Sequence, residues 1–343
     1  MSSFHGIVLH AKVLCTDSMI ALLDSPLPQW KRRKMSTNQL VFSNAPVGAR
    51  NPVAAFDAEL IHAVSIDESE VARALAALAG RTPPPGAARL VQAIAAIDLT
   101  TLSSDDTPER VRALCAKARQ PLSPEKQAAL GCEGLTTAAV CVYHAFIGTA
   151  LEALAGTAIP VAAVSAGFPH GLSPLKARTM EVEESVAAGA REIDIVIDRS
   201  KALTGNWQGV YDEVRAFREA CGEAHLKAII GAGDLGNLTN VAKASVVCMM
   251  EGADFIKTST GKEAVNATPE FALVMARTIA VWRKATGYKV GFKAAGGITK
   301  AAEVPIYQAV MQDVLGEEWL APNLFRIGAS RLLADIVSQL ERV

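Results

Sequence analysis

Eight short runs of apolar, β-prone residues recur along the chain, and stretches with helical periodicity separate them. Continuous apolar strands joined by helices are typical of a parallel sheet that helices cover. Eight such units within roughly 250 residues match the size and order of a (β/α)₈ barrel. We therefore predict an α/β fold, a (β/α)₈ TIM barrel with an N-terminal helical extension. The predicted strand runs are 95–100, 137–143, 160–167, 192–198, 225–231, 254–260, 289–296 and 324–330.

The competing fold is a doubly wound open sheet, which usually has fewer strands. Such a fold carries a glycine-rich fingerprint directly after its first strand. The segment that follows the first run, 101–106, contains no glycine. This difference favours the barrel.

The chain before the barrel divides into two predicted parts. Residues 1–50 show no sustained period and include the basic run 31–34, so we expect an N-terminal extension with little fixed structure. In 51–86, Asp67 and Glu70 have the spacing of a capping box, and the helix that follows ends at Gly80. The proline-rich segment 81–86 then connects to the barrel at 87–343.

Charge and cysteine content exclude several classes of function. The 34 Lys and Arg residues balance 35 Asp and Glu residues, so we expect neither a nucleic-acid partner nor a membrane surface. No apolar stretch reaches the ~18–20 residues of a membrane span. The six cysteines include no C-x-x-C pair, which predicts neither a zinc site nor disulfides, and we expect a cytoplasmic protein without a metal.

Charged residues interrupt five of the apolar runs. Catalytic groups of a barrel lie at the C-terminal ends of its strands, whereas its interior layers are normally filled by branched apolar side chains. One interpretation is therefore a catalytic site, and the other is a closed network of structural ion pairs. The residues are Asp98, Asp194, Lys227, Lys257 and Lys293.

A lysine beside a second lysine in a poorly hydrated pocket suits amine chemistry. Burial and like charge both disfavour its ammonium form, and the free amine that results attacks a carbonyl to form an imine. A carboxylate such as that of Asp194 then transfers protons. This chemistry requires neither a metal nor an organic cofactor.

The seventh run ends at Gly296-Gly297, and the eighth ends at Gly328-Ala329-Ser330. In many barrels the loops after these two strands bind phosphate through backbone N–H groups. For either segment alone, a tight strand-to-helix turn is the alternative. The candidates are Gly296, Gly297, Gly328 and Ser330, with Gly261 and Lys262 after the sixth run.

Several strings, spread over most of the predicted strands in order, resemble those of the class I 2-deoxyribose-5-phosphate aldolase family. The similarity covers roughly residue 87 to the C-terminus. Departures from the family pattern include Thr299 and Arg331, both near the predicted phosphate site. The strings are IDLTTL (97–102), VCVY (140–143), EIDIV (192–196), GADFIKTSTGK (252–262), GFKAAGG (291–297) and RIGAS (326–330).

The resemblance implies reversible cleavage of 2-deoxy-D-ribose 5-phosphate to acetaldehyde and D-glyceraldehyde 3-phosphate, in deoxyribonucleoside catabolism. It implies Lys257 as the imine-forming lysine, Lys293 as the neighbour that tunes it, and Asp194 as the proton shuttle. The implied substrate pocket holds Asp98, Thr100, Cys141 and Lys227, and the implied phosphate site holds Gly261, Lys262, Gly296, Gly297, Gly328 and Ser330.

Two alternatives to this function stay open. One is an imine-forming aldolase that acts on another aldehyde, and the other is a catalytically silent barrel that binds sugar phosphates or a protein. The partner we expect is a small phosphorylated sugar. We also expect a homodimer, because two-fold pairing is the commonest assembly of soluble proteins.

Overall fold

The computed structural model describes residues 50–342, in which eight parallel strands form a closed barrel. The strands are β1 (Ile97–Thr100), β2 (Ala139–Tyr143), β3 (Val161–Val164), β4 (Glu192–Val196), β5 (His225–Ile229), β6 (Phe255–Lys257), β7 (Gly291–Ala295) and β8 (Phe325–Ala329). Each pairs with its neighbours in sequence, and β8 closes the barrel against β1. The predicted (β/α)₈ barrel is confirmed. The predicted extension 1–50, except Arg50, lies outside the described residues.

Helices connect and cover the strands. They are α1 (Ala58–Ala63), α2 (Glu68–Ala79), α3 (Ala87–Ala95), α4 (Pro108–Arg119), α5 (Pro124–Leu130), α6 (Ile147–Ala153), α7 (Leu175–Ala187), α8 (Arg199–Leu203), α9 (Trp207–Ala220), α10 (Leu238–Met250), α11 (Pro269–Thr286), α12 (Val304–Leu315) and α13 (Leu332–Leu340). Short 3₁₀ turns span His144–Phe146, Ala232–Asp234, Ala301–Glu303 and Glu317–Leu320. No helix within 50–342 has the length and apolar character to cross a bilayer.

Two helices that follow loops at the C-terminal ends of strands begin with a threonine cap. The Thr107 side chain accepts a hydrogen bond from the Arg110 N–H at the start of α4, and Thr268 does the same for Phe271 in α11. A proline follows each cap, at a position where a backbone N–H would have no partner within the helix, so the N–H that proline lacks is not missed. These caps fix the points at which the chain leaves the loops after β1 and β6.

Several strands are shorter than the predicted runs. After β3, Ala166 and Gly167 adopt positive φ angles of 62° and 75°, so the chain leaves the strand conformation inside the run 160–167. After β6, residues 258–260 keep a β-prone composition but form a loop. Composition therefore marks the runs, and backbone conformation decides where strand pairing stops.

The two faces of each strand have different roles. On β4, Ile193 and Ile195 point outward into the hydrophobic core between strands and helices. The alternate residues, Glu192 and Asp194, are fully buried on the other face, which the barrel encloses. The interior of this barrel is therefore largely charged.

The segment before the barrel lies against its outer surface. Asp67 caps α2 by accepting hydrogen bonds from the N–H groups of Ser69 and Glu70, which confirms the predicted helix start. The Glu70 carboxylate forms an ion pair with Arg277 of α11, with Arg277 Nη2 2.9 Å from Glu70 Oε1. Asn51 Nδ2 donates to the Met249 carbonyl. These contacts join the segment to the barrel, while its separation as a unit, 51–86, remains a prediction.

Candidate active site

Seven charged side chains meet inside the barrel and are almost completely buried. We call them the interior charge cluster: Asp98, Glu192, Asp194, Lys227, Lys257, Lys293 and Arg326. Strand register brings them together, because Lys257 pairs with Lys293 across β6 and β7, and Asp194 pairs with Lys227 across β4 and β5. The five residues singled out in the sequence thus share one site, and two further residues join them.

The Asp194 carboxylate is the centre of this cluster. Its Oδ1 accepts a hydrogen bond from Lys227 Nζ at 2.8 Å. Its Oδ2 accepts from Lys257 Nζ at 2.8 Å and from Lys293 Nζ at 2.7 Å. Burial by itself would raise the pKa of Asp194, but the three lysines outweigh burial and hold that pKa well below its usual value. Asp194 is therefore a carboxylate shared by three amines.

The three lysines differ in how far carboxylates compensate them. Lys227 Nζ also lies 2.5 Å from Glu192, and Lys293 Nζ also lies 2.5 Å from Asp98. Burial lowers the pKa of both lysines, but the carboxylates outweigh it and raise each pKa above its usual value. These two side chains are therefore stable ammonium ions.

Lys257 has one carboxylate partner in the part of the chain that the structure describes, the shared Asp194. Burial lowers its pKa, Lys293 adds to this effect, and Asp194 only partly opposes it. The result is a lowered pKa, in contrast to the other two lysines. Lys257 is consequently the amine of the cluster that most readily loses its proton.

Sequence analysis missed two members of the cluster, Glu192 and Arg326. Arg326 Nη1 donates to Asp98 Oδ1 at 2.6 Å, and Arg326 Nη2 donates to Glu192 Oε1 at 2.9 Å. A signal for both was present. Glu192 precedes Asp194 by two residues, which places both on one strand face, and Arg326 pairs with Lys293. The cluster therefore contains four cations and three carboxylates, an excess of one positive charge.

A cavity of about 250 Å³ lies above the cluster, at the C-terminal ends of the strands. All of the predicted phosphate-site residues line it, together with Thr100 and Lys257. The other lining residues are Thr101, Leu102, Ser103, Thr260, Ala295, Ile298, Thr299, Ala329 and Arg331. Lys257 is 3% exposed and connects the buried cluster to this cavity.

The remaining predicted pocket residues lie beneath the cavity and do not line it. Asp98 and Lys227 belong to the interior charge cluster and are 0% exposed. Cys141 packs against Ala162 and Val164 on the neighbouring strand, and burial raises the pKa of its thiol. The structure thus separates a buried charged layer from an accessible layer above it.

Close approach of two loops shapes the cavity mouth. Gly296 has a φ of +82°, and a Cβ added there would lie 2.6 Å from Asn266 Oδ1 in the loop after β6. A side chain at this position would therefore push the loops apart. From the same loop, Lys262 Nζ donates to the Leu102 carbonyl at 3.0 Å, which spans the mouth.

Comparison with known proteins identifies the family of this chain. A family model described as DeoC/LacD family aldolase matches residues 92–329, which contain the whole interior charge cluster and the cavity loops up to Ala329. The chain belongs to the DeoC/LacD aldolase family. The resemblance inferred from the short strings is thereby confirmed.

Curated relatives within this aldolase family are close in sequence. A deoxyribose-phosphate aldolase from Homo sapiens is 54% identical over 258 residues, which cover 74% of this chain and 81% of the human protein. A deoxyribose-phosphate aldolase from Bos taurus is 50% identical over 291 residues, 83% of this chain and 92% of the bovine protein. Each match therefore extends over most of both aligned proteins.

Solved structures agree with the barrel fold. A deoxyribose phosphate aldolase from Aeropyrum pernix, described as a tetramer, superposes with a TM-score of 0.56 at 21% identity. The match covers 75% of this chain and 99% of the archaeal chain. At this identity the likeness supports the fold.

Proposed function

We propose that this aldolase cleaves 2-deoxy-D-ribose 5-phosphate reversibly to acetaldehyde and D-glyceraldehyde 3-phosphate. The observation that carries the proposal is the position of Lys257, whose weakly compensated amine reaches a cavity from a buried ionic layer. The names of the human and bovine relatives support this substrate. The reaction would serve deoxyribonucleoside catabolism.

The first half of the proposed reaction forms the imine. The free amine of Lys257 attacks the C1 aldehyde and gives a carbinolamine. Asp194, whose Oδ2 lies 2.8 Å from Lys257 Nζ, accepts the proton released by the nitrogen and returns it to the departing hydroxyl. Loss of water leaves a protonated imine that withdraws electrons from C2.

The second half breaks the carbon chain. The C3 hydroxyl loses its proton to Asp194, directly or through a water, and the C2–C3 electron pair moves toward the iminium nitrogen. D-glyceraldehyde 3-phosphate leaves, and an enamine of acetaldehyde stays on Lys257. Protonation of the enamine at C2 and hydrolysis then release acetaldehyde and restore the amine.

The phosphate end of the substrate is proposed to bind in the outer part of the cavity. The loops after β6, β7 and β8 meet there, with Lys262 and Arg331 in the wall. Backbone N–H groups of glycine-rich turns approach a phosphate closely, and the lysine adds positive charge. This placement leaves the aldehyde end directed toward Lys257.

Borohydride trapping tests the imine. Reduction in the presence of acetaldehyde is expected to fix an ethyl group on Lys257, because the reduced imine no longer hydrolyses. Fragment mass spectrometry locates the adduct, and Lys262 in the same cavity is the internal control. An ethyl group on Lys262 with none on Lys257, or full activity after reduction with no adduct, would contradict the proposal.

Replacement of Lys293 by methionine is expected to shift the pH dependence upward. The variant has three cations and three carboxylates in the cluster, so the pKa of Lys257 rises. The free amine then appears only at higher pH, and the acidic limb of kcat/KM moves up by about one unit or more. Rate profiles of the variant, with exposed Lys284→Met as the control, measure the shift. An unmoved acidic limb would contradict the tuning role of Lys293.

We also propose a homodimer that acts in the cytoplasm. Two-fold pairing is the commonest assembly of soluble proteins. Five cysteines in 50–342 are free thiols, which is typical of a reducing compartment: Cys115, Cys132, Cys141, Cys221 and Cys248. Light scattering of the purified chain distinguishes a dimer from the tetramer described for the Aeropyrum pernix relative.

A further inference from the structure

We propose that Glu263 is a positioning residue for the phosphate end of the substrate. Its carboxylate occupies the backbone N–H groups of residues 260–262, so this loop contacts the phosphate through the Lys262 side chain and not through those amides. The inference rests on the proposed function. The predicted phosphate residues then fall into two groups. Some contact the phosphate directly, and the others belong to the loop after β6, whose amides bind the Glu263 carboxylate.

The geometry at Glu263 is that of a bound anion. Its Oε2 accepts hydrogen bonds from the backbone N–H groups of Thr260 at 3.0 Å, Gly261 at 3.1 Å and Lys262 at 3.2 Å. The Thr260 hydroxyl adds a fourth donor at 2.8 Å. Successive N–H groups that converge in this way form an anion-binding concavity. In this chain the anion is the protein's own carboxylate.

The turn that binds the Glu263 carboxylate also fixes the conformation of the loop after β6. Gly261 has a φ of +87°, which allows the amides on both sides to face one oxygen. The Glu263 carbonyl accepts a hydrogen bond from Asn266 Nδ2 at 2.9 Å, and Asn266 packs against Gly296 in the next loop. Glu263 therefore holds the loop after β6 in the form that presents Lys262 to the cavity.

The loops after β7 and β8 keep some cavity amides without a carboxylate partner. In the loop after β7, Glu303 Oε2 accepts hydrogen bonds from the N–H groups of Thr299 at 2.9 Å and Lys300 at 2.7 Å. Within residues 50–342, no carboxylate accepts a hydrogen bond from the amides of 296–298 or 328–330, which line the same cavity. A phosphate dianion on the amides that Glu263 occupies would face a like charge at contact distance. We therefore assign the phosphate to the loops after β7 and β8, with Lys262 opposite.

Substitution of Glu263 by alanine tests the assignment. The KM for deoxyribose 5-phosphate is expected to rise about tenfold, because the turn loses its anion and Lys262 its fixed position. The kcat is expected to stay within about twofold, and kcat/KM for unphosphorylated deoxyribose is expected to be unchanged. Added formate should refill the turn and lower the KM of the variant but not that of the wild type.

Two further variants keep the test decisive. Glu270→Gln removes an exposed carboxylate from the helix that follows and should match the wild type. Glu263→Gln retains the shape and loses the charge, so it should raise KM even if the alanine variant folds poorly.

Several outcomes would overturn the inference. An unchanged KM, or no response to formate, would remove the positioning role. A lower KM would make Glu263 a competitor of the phosphate, and equal losses with both sugars would place its effect at Lys257. Absence of aldolase activity in the wild type would instead reject the proposed function.

Discussion

Replacement of Lys257 by methionine is expected to lower kcat/KM by at least about four orders of magnitude, because it removes the amine proposed to form the imine. The alternative amine in the wall, Lys262, hydrogen bonds to a backbone carbonyl at the mouth. Lys293 and Lys227 lie beneath the cavity as ammonium ions. A coupled assay for released acetaldehyde measures the loss.

The same substitution separates chemistry from folding. When it is protonated, Lys257 gives the interior charge cluster its excess positive charge, so its replacement balances the cluster and removes a buried amine. The free energy of unfolding of Lys257→Met is therefore expected to equal or exceed that of the wild type. Urea denaturation measures it, with exposed Lys284→Met as the control. Retention of more than about one per cent of the activity would show that another residue is the nucleophile.

Replacement of Asp194 by asparagine is expected to lower activity and stability together. Three buried lysines share this carboxylate, and in the variant four cations face two carboxylates. Breaking a buried ion pair from one side costs about 3–5 kcal/mol, so we expect a loss of that order in the free energy of unfolding. The loss of proton transfer should lower kcat/KM by about 10²–10⁴.

The direction of the charge effect isolates the role of Asp194. Removing this carboxylate lowers the pKa of Lys257 further, so the variant has more free amine at neutral pH. A fall in activity then reflects lost proton transfer and not a protonated nucleophile. Denaturation and rate measurements on Asp194→Asn, with exposed Asp212→Asn as the control, test both effects. A stable and active Asp194→Asn protein would show that Asp194 is neither the centre of the cluster nor the shuttle.

The barrel could be predicted because hydrophobic periodicity and helix caps agree along the chain. Thr107 and Thr268 each cap a helix and are each followed by proline, a local pattern that fixes the first turn. The ends of β3 and β6 could not be predicted in the same way. They depend on the left-handed backbone at Ala166 and on the loop at 258–260, which composition does not encode.

The site could be predicted only in part. Lys257, Lys293 and Asp194 interrupt apolar strands, and a barrel directs such residues to one place. Glu192 and Arg326 lie at the beginnings of their strands, where a charged residue also fits an exposed end. Depth in the barrel, which separates Cys141 from the cavity, follows from tertiary packing. The orientation of the Glu263 carboxylate depends on the backbone conformation of its loop. Neither this orientation nor the depth of Cys141 can be predicted from sequence spacing.

The depth of Lys257 below the loops of the cavity mouth determines the order of product release in the proposed reaction. The three-carbon fragment, held by its phosphate at the rim, departs first, while the two-carbon remnant stays bonded at the floor. In the synthetic direction acetaldehyde has to enter before the larger aldehyde arrives, because the latter would plug the entrance. Burying the proposed nucleophile under these loops thus sets the order in which the two fragments enter and leave.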